Sequence, residues 1–380
     1  MIYRDFKDLK LSALGMGAMR LPVINGVYGD IDQLQVEKMV DYAMEHGVNY
    51  YDTAYGYHDG MSEAAMGKAL SRYDRDTFYL ADKFPGYDLS NMDKVEEIFE
   101  EQLRRCGVDH FDFYLFHNVC EMNIDQYLDP QYGILEYLLE QKKNGRISHL
   151  GFSAHGAYDV IRRFLDAYGE HMEFCQLQLN YVDWTFQNAK EKYEMVSEFG
   201  LPVWVMEPLR GGGLCKLSEQ NAALLKTLRP EESVTAWAFR FLQSLKDVRV
   251  TLSGMSDYQQ MAENIETFEA DAPLNKEETK AVLEVAANML GAKILPCTSC
   301  RYCTSHCPKE LDIPGLLALY NEHNYTGGGF LAPMALMAVP ADKQPDACIG
   351  CKSCEAVCPQ QLKISEALAD FTEQLKAGAM

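Results

Sequence analysis

Residues Val48–Glu63 read "VNYYDTAYGYHDGMSE". The first five are an apolar, aromatic-rich run that suits a buried strand. Asp52 closes that run, and a polar, glycine-containing loop follows it, with Tyr57 five residues on. The same grammar recurs along the chain. "LGMGA" (14–18), "FYLADK" (78–83), "FDFYLF" (111–116), "SHLGFS" (148–153), "FCQLQL" (174–179), "PVWVME" (202–207) and "VTLSG" (250–254) are further candidate strands, eight in all. Between them lie stretches such as "LQVEKMVDYAMEHG" and "MDKVEEIFEEQLRRCG", with apolar residues three and four apart and a glycine at the stop. Such spacing predicts amphipathic helices. Strand–helix alternation predicts parallel βαβ units. Eight of them within about 250–270 residues fit a (β/α)8 barrel; a doubly wound open sheet is the competing arrangement.

A barrel of this kind works at the C-terminal ends of its strands. Asp52, Lys83 and His117 stand at or just beyond three consecutive strand ends, and Tyr57 lies in the loop after the first. Alone, each has an ordinary reading: Asp52 as a turn cap, Lys83 at the rim, His117 as a hydrogen-bonded rim histidine, Tyr57 as a surface aromatic. Together they suit carbonyl chemistry. Reduction needs a proton on oxygen, which a tyrosine can give, but a free phenol near pKa ~10 gives it slowly. An adjacent ammonium is expected to lower that pKa. A carboxylate holds the ammonium in place, and a histidine orients the oxygen where negative charge develops.

The bulk composition sets limits. The chain has 380 residues with 47% hydrophobic and 24% charged, enough for one large domain and a smaller one. Its net charge of −21 makes nucleic acid and anionic membrane surfaces poor partners; steering toward a basic redox partner is the sharper reading of that charge. No run of about 18 apolar residues suggests a membrane span. "MIYRDFKDLKLS" lacks the parts of a signal peptide, so a cytoplasmic location is expected.

Four of the twelve cysteines, Cys106, Cys120, Cys175 and Cys215, are scattered and read as core or incidental thiols. The other eight form two runs, "CTSCRYCTSHCP" and "CIGCKSCEAVCP". Both obey C-x2-C-x2-C-x3-C-P. Three thiolates from such a loop reach one cubane, and the fourth serves the other cluster. The expected sets are Cys297, Cys300, Cys303 and Cys358 for one [4Fe–4S] cluster, and Cys348, Cys351, Cys354 and Cys307 for the second. Structural zinc favours four ligands in two separated pairs, and disulfides do not suit a cytosolic chain. His306 beside Cys307 reads as a surface imidazole.

The segments "DTAYGYHDGMSE", "ADKFP", "FDFYLFHNV", "GFSAH", "QLQLNY" and "SGMSDYQQMAENI" resemble, in their order, the motifs of aldo-keto reductases over roughly residues 1–270. The resemblance implies a (β/α)8 barrel that binds NADP(H) or NAD(H) without a Rossmann domain; "GMGAM" (15–19) lacks the third glycine of a Rossmann fingerprint. It implies Tyr57 as proton donor, Asp52 and Lys83 as its support, and His117 on the carbonyl. Ser153, Gln178 and the "PLRGG" loop with Pro208 and Leu209 would line the nicotinamide end. Gly254, Ser256, Gln260 and Asn264 would line the adenosine end. Two positions depart from the pattern. Ala154 stands where an asparagine is common, with His155 or Asn180 as stand-ins. Ser256 and Asp257 offer no charge to a 2′-phosphate.

The tail resembles two-cluster ferredoxin-like domains, and its long glycine- and proline-broken spacer suggests the mostly helical variety. The expected organisation is a barrel over 1–270, a helix and linker over 271–296, and a ferredoxin-like domain over 297–380. The leading expectation is a carbonyl or alcohol oxidoreductase acting on a small substrate, with clusters that pass electrons to or from a protein partner. A redox-sensing or relay protein with little turnover, and clusters that only shape the tail, are the alternatives. Hydride and single-electron chemistry would meet through a flavin, for which the sequence carries no motif.

Overall fold

In the run that contains Asp52, every strand residue is buried, and its neighbours on both sides are strands of the same kind. The computed structural model describes residues 1–291, 294–297, 300–301 and 303–378. Ala292 and Lys293 of the expected linker, and Thr298, Ser299 and Tyr302 within the first cysteine run, lie outside them. The strands are β1 (Tyr3–Phe6), β2 (Leu9–Ser12), β3 (Leu14–Gly17), β4 (Tyr50–Asp52), β5 (Tyr79–Phe84), β6 (Phe111–Val119), β7 (Ile147–Ala154), β8 (Cys175–Gln178), β9 (Val203–Met206) and β10 (Val248–Ser253). The last eight form a closed barrel in the order β10-β3-β4-β5-β6-β7-β8-β9. All eight pairings are parallel. The open-sheet alternative is thereby set aside.

β1 and β2 form a separate antiparallel hairpin that no strand assignment from the sequence included. Its turn passes through Lys7 at φ 55°. Phe6 packs edge-on against Trp204 at 5.1 Å and close to Phe113 at 5.7 Å. They join Tyr50, Phe174, Val250 and Leu252 in one buried cluster. The hairpin thus covers the end of the barrel opposite the strand C-termini. Lys7 pairs with Glu173, which also meets Lys142 and His149.

Around the barrel the helices bury one face, as their periodicity requires. The helix Val95–Cys106 buries Val95, Ile98, Phe99, Leu103 and Cys106, carries Glu96 and Glu97 in its first turn and Arg104 and Arg105 in its last, and ends at Gly107 in the left-handed conformation. That charge order complements the helix dipole. It lies against the helix Ser62–Leu70 through Gly67, where an added Cβ would stand 2.3 Å from the Cys106 carbonyl oxygen.

The contacts divide the chain into two compact units, Met1–Val285 and Ala286–Met380. The helix Lys276–Gly291 crosses the division. The second unit is helical among its described residues, with Ile313–Thr326, Leu331–Leu336, Ser353–Ala356 and Ile364–Gly378. Its core joins Leu311, Ile313, Leu316, Leu336, Leu368 and Phe371 with Cys303 and Cys354. No helix of the described residues is long and apolar enough to cross a membrane.

Candidate active site and cysteine pockets

The register of β4, β5 and β6 places Asp52 opposite Ala81 and Lys83 opposite Leu115. Lys83 Nζ donates to Asp52 Oδ1 at 2.6 Å and to the Thr53 carbonyl at 2.7 Å. Both side chains are almost fully buried, at 1% and 4% exposure, so the pair is held in a medium where its attraction is strong. The second Asp52 oxygen, Oδ2, has no hydrogen-bond partner among the described residues. Burial raises the Asp52 carboxyl, and Lys83 opposes that rise.

Tyr57 opens a short 3-10 turn, and His58 and Asp59 behind it both take positive φ, 52° and 54°. His58 fixes this turn. Its Nε2 accepts from Leu21 N at 3.0 Å, its Nδ1 donates to Tyr28 O at 2.5 Å, and its ring stacks on Tyr28 at 4.4 Å. Lys83 Nζ lies 5.2 Å from the centre of the Tyr57 ring, and the His117 ring stands edge-on to Tyr57 at 5.9 Å. The four expected groups therefore converge on one mouth. Burial first, and the Asp52 carboxylate next, push the Tyr57 hydroxyl well above the usual phenol range. The expected lowering by Lys83 does not offset this rise while the hydroxyl keeps its proton. Tyr57 is consequently held in its protonated, proton-giving form.

His117 reaches the mouth through an irregularity in β6. The register with β7 shifts between Phe116 and Val119, and Asn118 has φ 58°. A bulge of this type re-aims a side chain. Burial and the Lys83 ammonium hold the His117 imidazole far below its ordinary pKa, hence neutral. Its buried Nδ1 has no hydrogen-bond partner among the described residues. Tyr87 stands edge-on to the same ring at 5.1 Å.

Beside this group, Ser153 Oγ accepts from Asn118 N at 2.8 Å. Gln178 accepts from His155 Nδ1 at 3.1 Å and donates to Asp183 at 2.9 Å. Asn180 is wholly engaged: it donates to Asp183 and to the Glu207 carbonyl, and its Oδ1 accepts from Val182 N and Asp183 N. Of the two stand-ins for Ala154, His155 bonds Gln178 directly, and Asn180 shares the Asp183 oxygen with it. Pro208 and Leu209 belong to a tight loop in which Gly212 N and Leu214 N both donate to Leu209 O. At the other end, Ser256 N donates to Gln260 Oε1 at 3.0 Å, and Gln260 binds Asp257. Asn264 is buried, its amide on Ser253 Oγ at 3.1 Å, so it ties the helix Tyr258–Thr267 to β10.

Two participants, His58 and Arg20, were missed by sequence reasoning. Arg20, six residues after the start of β3, lies along Gly254: a Cβ built there would meet the arginine stem at 3.1 Å. Its carbonyl accepts from Ser256 Oγ at 3.0 Å, and its guanidinium stands 3.7 Å from Glu207 and near Gly211. Arg20 thus spans the two loops expected at the nicotinamide and adenosine ends. Its signal, a lone arginine after "GMGAM", is weak without the fold.

The family model described as the aldo/keto reductase family matches residues 13–287. This chain belongs to the aldo/keto reductase family. A second model, a 4Fe-4S dicluster domain, matches residues 296–363. Among curated proteins, the NADH-specific methylglyoxal reductase of Escherichia coli is 26% identical, over 72% of this chain and 97% of its own length. The L-galactose dehydrogenase of Arabidopsis thaliana is 24% identical, over 74% of this chain and 93% of its own. Among solved structures, the holo form of aldo-keto reductase AKR11C1 from Bacillus halodurans superposes with a TM-score of 0.62 at 26% identity, covering 75% of this chain and 96% of that one. An aldo-keto reductase from Klebsiella pneumoniae in complex with NADPH shares the fold, with a TM-score of 0.60 at 18% identity. The chain is therefore a family oxidoreductase that carries a 4Fe-4S domain.

In that second unit the eight clustered cysteines gather around two small pockets. One is lined by Cys297, Cys300, Cys303 and Cys358, with Leu317, Leu362 and Ile364. The other is lined by Cys307, Cys348, Cys351 and Cys354, with Leu311, Ile313 and Leu368. Each set takes three cysteines from one run and the last cysteine of the other. Burial and the neighbouring Cys297, Cys300 and Cys358 push the Cys303 thiol up. Burial, with Glu355 and Cys348, brings Cys354 to about 11. Four sulfur donors among apolar side chains in each pocket are the donor chemistry that an iron–sulfur cubane takes.

Proposed function

We propose that the barrel interconverts a small carbonyl compound and its alcohol with NADH or NADPH, and that two [4Fe–4S] clusters in the tail exchange electrons with a separate carrier protein. The observation that carries the first half is the buried Lys83–Asp52 contact at 2.6 Å, with the Tyr57 and His117 rings beside it. In reduction, His117, neutral and with an uncommitted buried nitrogen, orients the carbonyl oxygen. Tyr57 then gives its hydroxyl proton to that oxygen. A reduced nicotinamide held there would supply the hydride for the carbonyl carbon. Lys83 stabilises the negative charge left on Tyr57, and Asp52 keeps the lysine charged and in place.

Ser153, Gln178 and the loop at Pro208 and Leu209 would hold the nicotinamide end, and Gly254, Ser256 and Gln260 the adenosine end. Asn264 would support the latter from behind. Arg20 would lie along both ends, its stem on Gly254 and its guanidinium beside Gly211 and Glu207. Cys297, Cys300, Cys303 and Cys358 would hold one cluster, and Cys307, Cys348, Cys351 and Cys354 the other; the chemistry such clusters would supply is one-electron transfer.

Replacing Tyr57 by Phe tests the barrel. Carbonyl turnover is expected to fall about 10²–10⁴-fold with nucleotide affinity retained. Unchanged turnover would remove Tyr57 from its role. Anaerobic purification tests the tail: iron and sulfide in equal amounts are expected, and zinc in their place would overturn the cluster assignment.

A further inference from the structure

Behind Lys83, on the helix side of β5, lies a set of buried polar groups that the chemistry above does not use. Glu63, Asp82, Gln102 and Tyr114 are all fully buried. They come from the helix Ser62–Leu70, β5, the helix Val95–Cys106 and β6. The Gln102 amide nitrogen stands 2.9 Å from Asp82 Oδ1, 3.1 Å from Glu63 Oε1 and 3.0 Å from the Lys83 carbonyl oxygen. Gln102 Oε1 accepts from the Tyr114 hydroxyl. Asp82 Oδ1 also accepts from Lys83 N at 2.8 Å.

Two counts fail to close if both carboxyls are ionised. An amide nitrogen carries two hydrogens, and three acceptors surround this one. Among the described residues, the cation paired with the two carboxyls is Arg105, at 2.9 Å from Glu63 Oε2, and Glu101 shares it. The second Asp82 oxygen has the Cys106 thiol beside it at 3.8 Å. Two carboxylates converging on one buried amide do not both ionise. One retained proton closes both counts: it supplies the third donor, and it leaves the pair with a single negative charge against Arg105. Burial, and then the Glu63 charge, push the Asp82 carboxyl well up, in agreement. That charge is felt at the mouth, because Asp82 follows burial, Asp52 and Tyr28 among the influences that raise the Tyr57 hydroxyl.

Resting on the carbonyl-reductase reading, we propose that Asp82 and Glu63 hold one proton between them, and that with Gln102 they are the positioning residues of Lys83. Asp82 takes the Lys83 amide and Gln102 its carbonyl, so the lysine side chain reaches Asp52 from a backbone fixed on the helix side. The retained proton removes a carboxylate charge that would oppose proton loss from Tyr57.

Infrared difference spectra of the full chain in water and heavy water, at about pH 7, test the proton. Wild type should show the carbonyl stretch of a protonated carboxyl, shifted by deuterium, and Asp82→Asn should lack that band. A spectrum without the band, or one that Asp82→Asn leaves unchanged, would overturn the proposal. Gln102→Met, which keeps the side-chain length and loses the amide, tests the positioning. With butanal, glyceraldehyde and benzaldehyde, its kcat is expected to fall about 10²-fold while KM for aldehyde and nucleotide changes little. An unchanged kcat, or a loss confined to KM, would remove Gln102 from this role. Should wild type reduce none of the three, the carbonyl-reductase reading fails while the band still decides the shared proton. Hydrogen exchange across β5 then decides the positioning: faster exchange in Gln102→Met sustains it, and equal exchange rejects it.

Discussion

At the residue scale, the strongest single commitment is the buried ion pair. Removing Asp52 as Asp52→Ala leaves the Lys83 ammonium buried and unmatched. Loss of one partner of such a pair costs about 3–5 kcal/mol, so the denaturant midpoint should fall accordingly while circular dichroism keeps its mixed α/β shape. Two imidazoles add a pH dependence. His117 lies well below the ordinary histidine range and His155 at about 4, both because burial disfavours the charged form. Below about pH 6.5 the unfolded chain takes up protons that these two sites refuse. Stability should therefore rise with pH across about 4 to 6.5, by up to about 1.4 kcal/mol per unit for each imidazole. His155→Gln should make that slope shallower in urea titrations at pH 5 and 7. The catalytic candidates were legible in sequence because residue types with one shared purpose stood at successive strand ends. Arg20 and His58 were not, since each acts through contacts with residues distant in sequence: Arg20 on Gly254, and His58 on Leu21 and Tyr28.

At the element scale, the eight barrel strands were legible because each is buried on both faces and reads as an apolar run. The hairpin β1–β2 was not. Its strands are only partly buried, so charge and apolar residues alternate over "YRDFKDLKLS", and the turn at Lys7 carries no glycine or proline signal. The bulge in β6 was equally hidden, since "FDFYLFHNV" continues the strand pattern while the backbone turns at Asn118. Close helix packing is most exposed to challenge at Gly67. Gly67→Ala would bring a methyl against a backbone carbonyl that cannot rotate away, an overpacking cost of about 1–3 kcal/mol. A lower melting temperature with unchanged nucleotide affinity is the expected outcome.

At the scale of the whole molecule, a barrel of the aldo/keto reductase family shares a chain with a 4Fe-4S dicluster domain. The spacing of the cysteines was enough to anticipate the crossed sets, because a C-x2-C-x2-C loop presents three sulfurs and sends the fourth away; the spacer's fold was legible only as helices broken by glycine and proline. The crossing has a testable signature. Cys358→Ser should cost the cluster served by Cys297, Cys300 and Cys303 and spare the one served by Cys348, Cys351 and Cys354, its own run. Iron content would fall by about half, and Cys297→Ser, rather than Cys348→Ser, should give the same residual paramagnetic spectrum on reduction.

The central claim is that Tyr57 gives the proton while a nicotinamide gives the hydride. It is tested most directly by label transfer in a single turnover. Protein loaded anaerobically with nicotinamide deuterated at C4 is mixed with an aldehyde, and the product alcohol is examined by mass spectrometry. Wild type should place one deuterium on the former carbonyl carbon, and Tyr57→Phe, binding the nucleotide as tightly, should do so at least a hundredfold more slowly. Deuterium transfer at equal rates in the two proteins would contradict the role given to Tyr57, and an unlabelled alcohol would contradict the hydride route.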